Sequence, residues 1–489
     1  MKPQHILLVF LGYTALIFIV SYITSRRTNN ESYFLGNRKS PWLLVAYGML
    51  GTSLSGVTFI SVPGYVGASQ FTYMMVVFGY LLGYATITLI LLPLYYRLKL
   101  TSIYTYLEKR FGNFSYKTGS FYFLLSRMIG ASFRMYLVIN VLQIFIFDHF
   151  GVPFWFTTCL FLLLITVYTY KGGIKTIVWT DTLQTTFMLA SLIITIFIVL
   201  KHMDVNLPEM IQQVKDSSYA KIVDIDWRSD TFYIKQFLSG MFITIVMTGL
   251  DQDMMQKNLS CKSLKDAQKN MTVLSFLFIP VNFIFLFLGA TLLIYAAKFN
   301  ISLPEMSDNI FPELAINHFG TIAGLVFFIG LIASAYSSAD SAITALTTSV
   351  CVDFLGFEKE EQKRKNTVKT RYIVNFFVSL TILFLIILFR EINNEAVIKK
   401  LFTIAGYTYG PLLGLFAYGL FTKRGLRDKL VPIVCLISPL LSYLIDANSE
   451  MLFNGYKFGF EILIVNGLIT FIGLFLISLF QKKAVTIEN

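Results

Sequence analysis

The sequence predicts an all-α integral membrane fold of thirteen transmembrane helices built as a 5+5 inverted repeat, with one extra helix before the repeats and two after them. Three observations carry this. The 489 residues are 55% hydrophobic and only 14% charged, too apolar for a soluble multidomain chain. Apolar runs of about 20 residues, the length that crosses a hydrocarbon core, recur from end to end. Two of those runs, five apart, are interrupted by polar stretches that contain glycine.

The runs are approximately 5–24, 41–68, 72–95, 118–146, 152–170, 174–200, 232–256, 270–297, 320–354, 372–389, 398–421, 430–446 and 459–480. The first has only Lys2 ahead of it and Arg26–Arg27 behind; without a basic leader or small-residue cleavage site it reads as a retained anchor. The second carries Gly48, Gly51, Gly56 and Pro63 around a polar centre, TSLS at 52–55. The seventh passes from Gly249 and Leu250 into Asp251, Gln252 and Asp253. Breaks of this kind expose carbonyls, which is tolerated at membrane depth only where they line a buried or wet cavity. An odd offset gives the two halves opposite orientations, the pattern of an inverted repeat that binds its ligands near the midplane. The chain then divides into an extra N-terminal helix (1–40), a first repeat (41–200), an extracellular loop (201–231), a second repeat (232–421) and C-terminal helices with a tail (422–489).

Charge placement sets the orientation. The net charge is +12, but the basic residues fall in short loops between apolar runs, which is a topology signal and not a nucleic-acid surface. Loops on one side hold 27 of the 40 Lys and Arg, those on the other side ten, and Arg127, Arg134 and Lys235 lie within spans. This predicts a multi-pass protein of the plasma (inner) membrane with its N-terminus outside and its C-terminus cytoplasmic. Lys257 is counted here as a cytoplasmic loop charge, and Lys235 is placed to snorkel to the outer interface. The four cysteines and four histidines are scattered without metal or redox spacing, so neither a disulfide framework nor a zinc site is predicted.

The ninth run contains SAYSSADSAITALTT at 334–348. Ser334, Ser337, Ser338 and Ser341 recur at three- and four-residue steps and share one helix face. Asp340 sits among them, and a carboxylate at membrane depth costs at least ~2.5 kcal/mol unless something pairs with it. Hydroxyls with a carboxylate are hard oxygen ligands suited to a cation without redox chemistry; close helix packing by small residues is the plainer alternative. Asp181 lies about seven residues into the sixth run and is a second candidate ligand. Arg127 and Arg134, seven apart on one face of the fourth run, either pair with a buried aspartate or hold a substrate carboxylate through the guanidinium fork. Asp251, next to the seventh-run break, is a substrate candidate.

Three segments in order resemble the sodium–solute symporter family: GGIKTIVWTDTLQT at 172–185, DQDMMQKNLSCKSLKDAQK at 251–269, with Lys257 where arginine is more usual, and GPLLGLFAYGLF at 410–421. The resemblance implies a LeuT-like inverted-repeat transporter and no enzyme. It implies a sodium site built from the Gly51 and Leu54 carbonyls, the Ser334 carbonyl and the Ser337 and Ser338 hydroxyls. It also implies a possible second sodium site at Asp181, Asp340 and Ser341, although Asp340 stands where the sialic-acid carriers have serine. Substrate contacts fall on Ser53, Ser55, Thr58, Asp251 and on Arg127 or Arg134. The expected ion, and only cofactor, is Na+, carried with a small polar solute: a sugar, a sialic-acid-like sugar acid or a related organic solute. A monocarboxylate, vitamin or amino-acid carrier, or a proton-coupled carrier on the same fold, is the alternative. The expected partners are the solute, sodium and the bilayer, with the chain working as a monomer. Loops of about 30 residues are too short for an attached catalytic or receptor domain, and the polar residues do not repeat as a channel's pore ring does.

Overall fold

The computed structural model describes residues 3–25, 30–169, 173–357, 367–392 and 397–479. A helix lies on each apolar run. In order these are α1 (Pro3–Thr24), α2 (Trp42–Ser69), α3 (Tyr73–Arg97), α4 (Asn113–Phe150), α5 (Phe154–Thr169) and α6 (Ile174–Met203). A bent pair follows, α7 (Tyr233–Gly249) and α8 (Gln252–Leu259). Then come α9 (Leu264–Lys298), α10 (Gly320–Phe354), α11 (Thr367–Ile392), α12 (Val397–Phe421), α13 (Val431–Ala447) and α14 (Ile462–Ser478). Among the described residues nine helices are long and apolar enough to cross a membrane, and ten if the bent pair counts as one span. At 16 and 17 residues α5 and α14 are short for a full crossing, and glycine, tyrosine and Pro411 dilute α12. Length and composition therefore give a smaller count than the thirteen expected. The basic residues at 26–27, 171, 359, 363–365 and 482–483 that helped to orient the chain lie outside the described residues.

Burial separates the core from the periphery. In α2 and α10, 78% of the most apolar window is buried inside the protein, against 33% in α1 and α11 and 22% in the span ending at Ala447. The reason is composition: α2 and α10 are rich in Gly, Ala, Ser and Thr, which allow backbones to approach closely where no water drives association. α2 packs on α6, α9 and α10, and α10 packs in turn on α4 and α6. The loop between α6 and α7 carries a helix, Leu207–Asp216, started by a reciprocal cap in which Asn206 Oδ1 accepts from the Glu209 N–H at 2.9 Å. Lys235, expected at the lipid interface, is instead covered by loops. Its ammonium donates to the Ser229 and Lys457 carbonyls at 3.0 and 2.9 Å and lies 3.6 Å from the Tyr456 ring centre.

The tightest seam joins α3 to α7. A Cβ placed on Gly79 meets the Phe237 carbonyl oxygen at 2.0 Å, one on Gly240 meets the Val76 carbonyl oxygen at 2.0 Å, and one on Gly83 meets the Met241 carbonyl oxygen at 2.6 Å. All three contacts are with backbone, which cannot swing aside as a side chain can. Gly240→Val is therefore expected to destabilise the fold by about 1–3 kcal/mol or more, as overpacking does. Gly12→Ala, which meets nothing within 4 Å, should be neutral. Melting temperatures in detergent check this: equal values for the two variants would show that the seam has slack.

Candidate functional site

Both predicted breaks are present, and each sits on a specific residue. In α2 the helix is interrupted at Ser55, with φ 49° and ψ 177°, inside the polar centre and not at one of its glycines. A non-glycine residue at positive φ costs of the order of 1–3 kcal/mol and persists only where its surroundings hold it. A turn of this kind disturbs the ladder of backbone bonds across it, so the carbonyls just before Ser55 are the ones a ligand could take. Between α7 and α8 the chain bends by 64° at Leu250–Asp251. There the freed carbonyls of Gly249 and Leu250 accept from the Tyr95 and Tyr104 hydroxyls at 2.9 and 2.8 Å. Asp251 caps α8, taking the N–H of Asp253 at 2.9 Å.

α2 reaches α6 through two glycines. A Cβ on Gly48 falls 2.9 Å from Asp181 Cβ, and one on Gly51 falls 2.1 Å from Thr185 Oγ1. That closeness lays Thr52 over Asp181, whose side chain is fully buried. Thr52 Oγ1 donates to Asp181 Oδ2 at 3.0 Å, and Ser337 of α10 donates to Oδ1 at 2.9 Å. The Thr52 and Ser337 hydroxyls are themselves 3.1 Å apart. The fourth member is Lys257 of α8, whose Nζ lies 2.6 Å from Asp181 Oδ2 and 2.6 Å from Thr52 Oγ1. Lys257 is 1% exposed: the residue counted as a loop charge is at the centre of the bundle.

The other serines of α10 behave differently. Ser338 Oγ faces the carbonyls of Ser334 and Ala335, each at 3.2 Å. The α2 break comes up against this point, since a Cβ on Gly56 lies 3.6 Å from Ser334 Oγ. Asp340 points elsewhere, accepting from the Tyr168 hydroxyl at 2.8 Å and the Ser341 N–H at 2.6 Å. Neither arginine pairs with it, and Ser341 Oγ has no hydrogen-bond partner among the described residues.

Beside the α2 break lies a cavity with about 80 Å³ open to the centres of water-sized molecules. Ser53, Ser55 and Thr58, named above as solute contacts, are on its wall. Tyr73, Tyr80 and Tyr84 of α3, Thr244 and Thr248 of α7, Phe278 and Asn282 of α9, and Leu401 and Phe402 of α12 also line it. The Tyr73 and Tyr80 hydroxyls are 3.0 Å apart, and Tyr84 stacks on Phe278 with ring centres 5.7 Å apart. The two arginines also reach the wall, in different states. Arg127 ion-pairs with Asp253 and lies 3.8 Å from Asp251 Oδ2. Arg134 is buried, makes no ion pair among the described residues, and its Nε has no hydrogen-bond partner. Asp251 is not brought to the wall; its carboxylate is taken up by the α8 cap, by Arg127 and by the Tyr409 hydroxyl at 2.7 Å.

Sequence reasoning missed the three tyrosines of α3, Thr52 and the placement of Lys257. A signal existed for the first: positions 73, 80 and 84 are seven and four apart on one face of a helix, though 27 tyrosines in the chain conceal it.

Known proteins share this architecture. Among solved structures, a substrate-bound, outward-open Na+-coupled sialic acid symporter matches with a TM-score of 0.82 at 20% identity, covering 98% of each chain. Mhp1, a nucleobase-cation-symport-1 family transporter in a closed conformation, gives 0.52 at 14% identity over 92% of this chain and 96% of that one. These likenesses establish the LeuT-like fold. Curated relatives include a sodium/sialic acid symporter of Proteus mirabilis (strain HI4320), 25% identical over 432 residues, 85% of this chain and 84% of that one. The human sodium/iodide cotransporter is 24% identical over 420 residues, 80% of this chain and 61% of that one. Residues 33–427 match the sequence pattern of the sodium:solute symporter family. The protein is thus a multi-pass membrane transporter and not an enzyme, sodium being its transported ion and not a resident cofactor. With that match running over most of its length, the chain belongs to the sodium:solute symporter family.

Proposed function

We propose that this symporter carries a small organic anion, of the sugar-acid or sialic-acid-like kind, inward with sodium by alternating access. The observation that carries the reading is Arg134: a buried guanidinium on the cavity wall, with no carboxylate of its own among the described residues, beside the α2 break. An unpaired buried charge is costly, and a solute carboxylate across its fork removes that cost. Arg127 is already neutralised by Asp253 and Asp251 and serves as structure. Ser53, Ser55 and Thr58, with the tyrosines of α3, supply hydroxyls and ring faces for the rest of a polyhydroxylated solute. Two relatives whose names specify sialic acid and one that specifies iodide carry anions, which supports the same class.

Sodium is assigned to the carbonyls of Gly51 and Leu54, just before the break at Ser55, with the Ser334 carbonyl and the Ser337 and Ser338 hydroxyls of α10. Five oxygens from two helices then hold α2 and α10 together while the cavity is open to the outside. The ordered cavity binds solute more tightly, and that difference in affinity between states is the coupling. Each sodium moved inward across 100 mV contributes about 2.3 kcal/mol. The thirteen-span count, the outside N-terminus, the cytoplasmic C-terminus and the monomeric state belong to the same proposal.

The reading is tested by uptake into proteoliposomes across sugars, sugar acids and monocarboxylates under separate sodium and pH gradients. Uptake that persists without sodium and follows the pH gradient would identify a proton carrier instead. Ser338→Ala should raise the sodium concentration for half-maximal uptake by about tenfold, equivalent to about 1.4 kcal/mol; an unchanged value removes Ser338 from the site. Arg134→Met should raise KM for the anionic solute 30-fold or more with little change in melting temperature. Arg127→Met should instead lower stability by about 3–5 kcal/mol, because it leaves Asp253 buried and unpaired. If the folded Arg134 variant keeps its affinity, the anchor lies elsewhere.

A further inference from the structure

We propose that Lys257 is the resident cation of the Asp181 site, a tethered ammonium in the place where a second sodium would otherwise bind. The inference rests on the sodium reading above and sharpens it. Taken without Lys257, the groups at this point form a sodium site: two carboxylate oxygens of Asp181 and the hydroxyls of Thr52 and Ser337, all buried and contributed by α6, α2 and α10. These are the hard oxygens an alkali cation takes. The Nζ of Lys257 lies 2.6 Å from both Asp181 Oδ2 and Thr52 Oγ1, so it already makes the contacts that an entering ion requires. A second monovalent cation brought to the same carboxylate would meet a like charge in a buried site, where charges are screened far less than in bulk water.

The placement is built, not incidental. Lys257 sits on the short helix α8 behind the 64° bend, and that bend turns its side chain back into the bundle. Gly48 and Gly51 set the opposite wall close enough for Thr52 to share the ammonium. Asp340 takes no part: both its oxygens accept from other donors, Tyr168 and the Ser341 N–H. The consequence is a fixed ion count. Asp181 directs Ser337 through a hydrogen bond but does not itself ligate sodium, and the ion at Ser337 and Ser338 is the one that Asp181 helps to orient.

Counting bound radioactive sodium on the purified full-length protein tests this. The wild type should bind one ion per chain, and Lys257→Met two, because the vacated carboxylate becomes a sodium ligand. In Lys257→Met with Asp181→Asn no buried charge is left unpaired, so this variant should fold and bind one ion. Two ions on the wild type and one on the double variant would overturn the proposal, as would one ion on a folded Lys257→Met. Should Lys257→Met fail to fold, the comparison of the wild type with the double variant decides alone. An about tenfold weaker hold on the single wild-type ion in Ser338→Ala is the separate check on the main site: an unchanged affinity would refute that assignment without altering the ion count at Asp181.

Discussion

A carboxylate shut away from water dictates the centre of this protein. Asp181 is fully buried, and a buried charge must be paired and hydrogen-bonded or it is lost to protonation or unfolding. Its partners come from three other helices: Thr52 on α2, Ser337 on α10 and Lys257 on α8. Meeting that one requirement fixes the height of α2 against α6, hence the two glycines at the contact, and draws the short helix α8 inward. The break at Ser55 follows three residues after Thr52, and just past it Gly56 comes up against Ser334 of α10. One electrostatic obligation thus positions both the oxygens proposed to hold sodium and the edge of the cavity proposed to hold the solute.

A second buried balance stands on the other side of that cavity. Arg127 neutralises Asp253 and approaches Asp251, which caps α8 and is held in turn by Tyr409 of α12. The bend between α7 and α8 is therefore clasped from α4 and α12, while Lys257 at its far end is clasped from α6. Arg134, on the same helix face as Arg127 yet in no ion pair among the described residues, is the exception that the solute is proposed to complete.

Much of the architecture was legible because hydropathy acts along the chain. Apolar runs and polar interruptions are local signals, and the helices and both breaks lie where those signals put them. Less was legible wherever a role depends on what faces a residue across the bundle. Lys257 looked like one more basic residue following a span, since counting charges by loop cannot see a 64° bend. Arg127 and Arg134 share a helix face and differ only because α8 places Asp253 opposite one of them. The break falls on Ser55 and not on Gly51 or Gly56 because those glycines are occupied with letting neighbouring helices approach. Asp340, conspicuous in sequence for its depth, proves to be satisfied by a tyrosine from α5.

The glycine seam between α3 and α7 bears on how such a molecule can move. Where carbonyl oxygens rest against glycine Cα atoms with no room for even a methyl group, sliding by one residue would drive a side chain into the opposing main chain. Interfaces of this kind permit joint rotation but not shear. Whatever carries α7 carries α3, and with α3 go Tyr73, Tyr80 and Tyr84. The three tyrosines are accordingly mounted on a pair of helices that the glycine contacts lock together, so the wall they form keeps its shape as a unit.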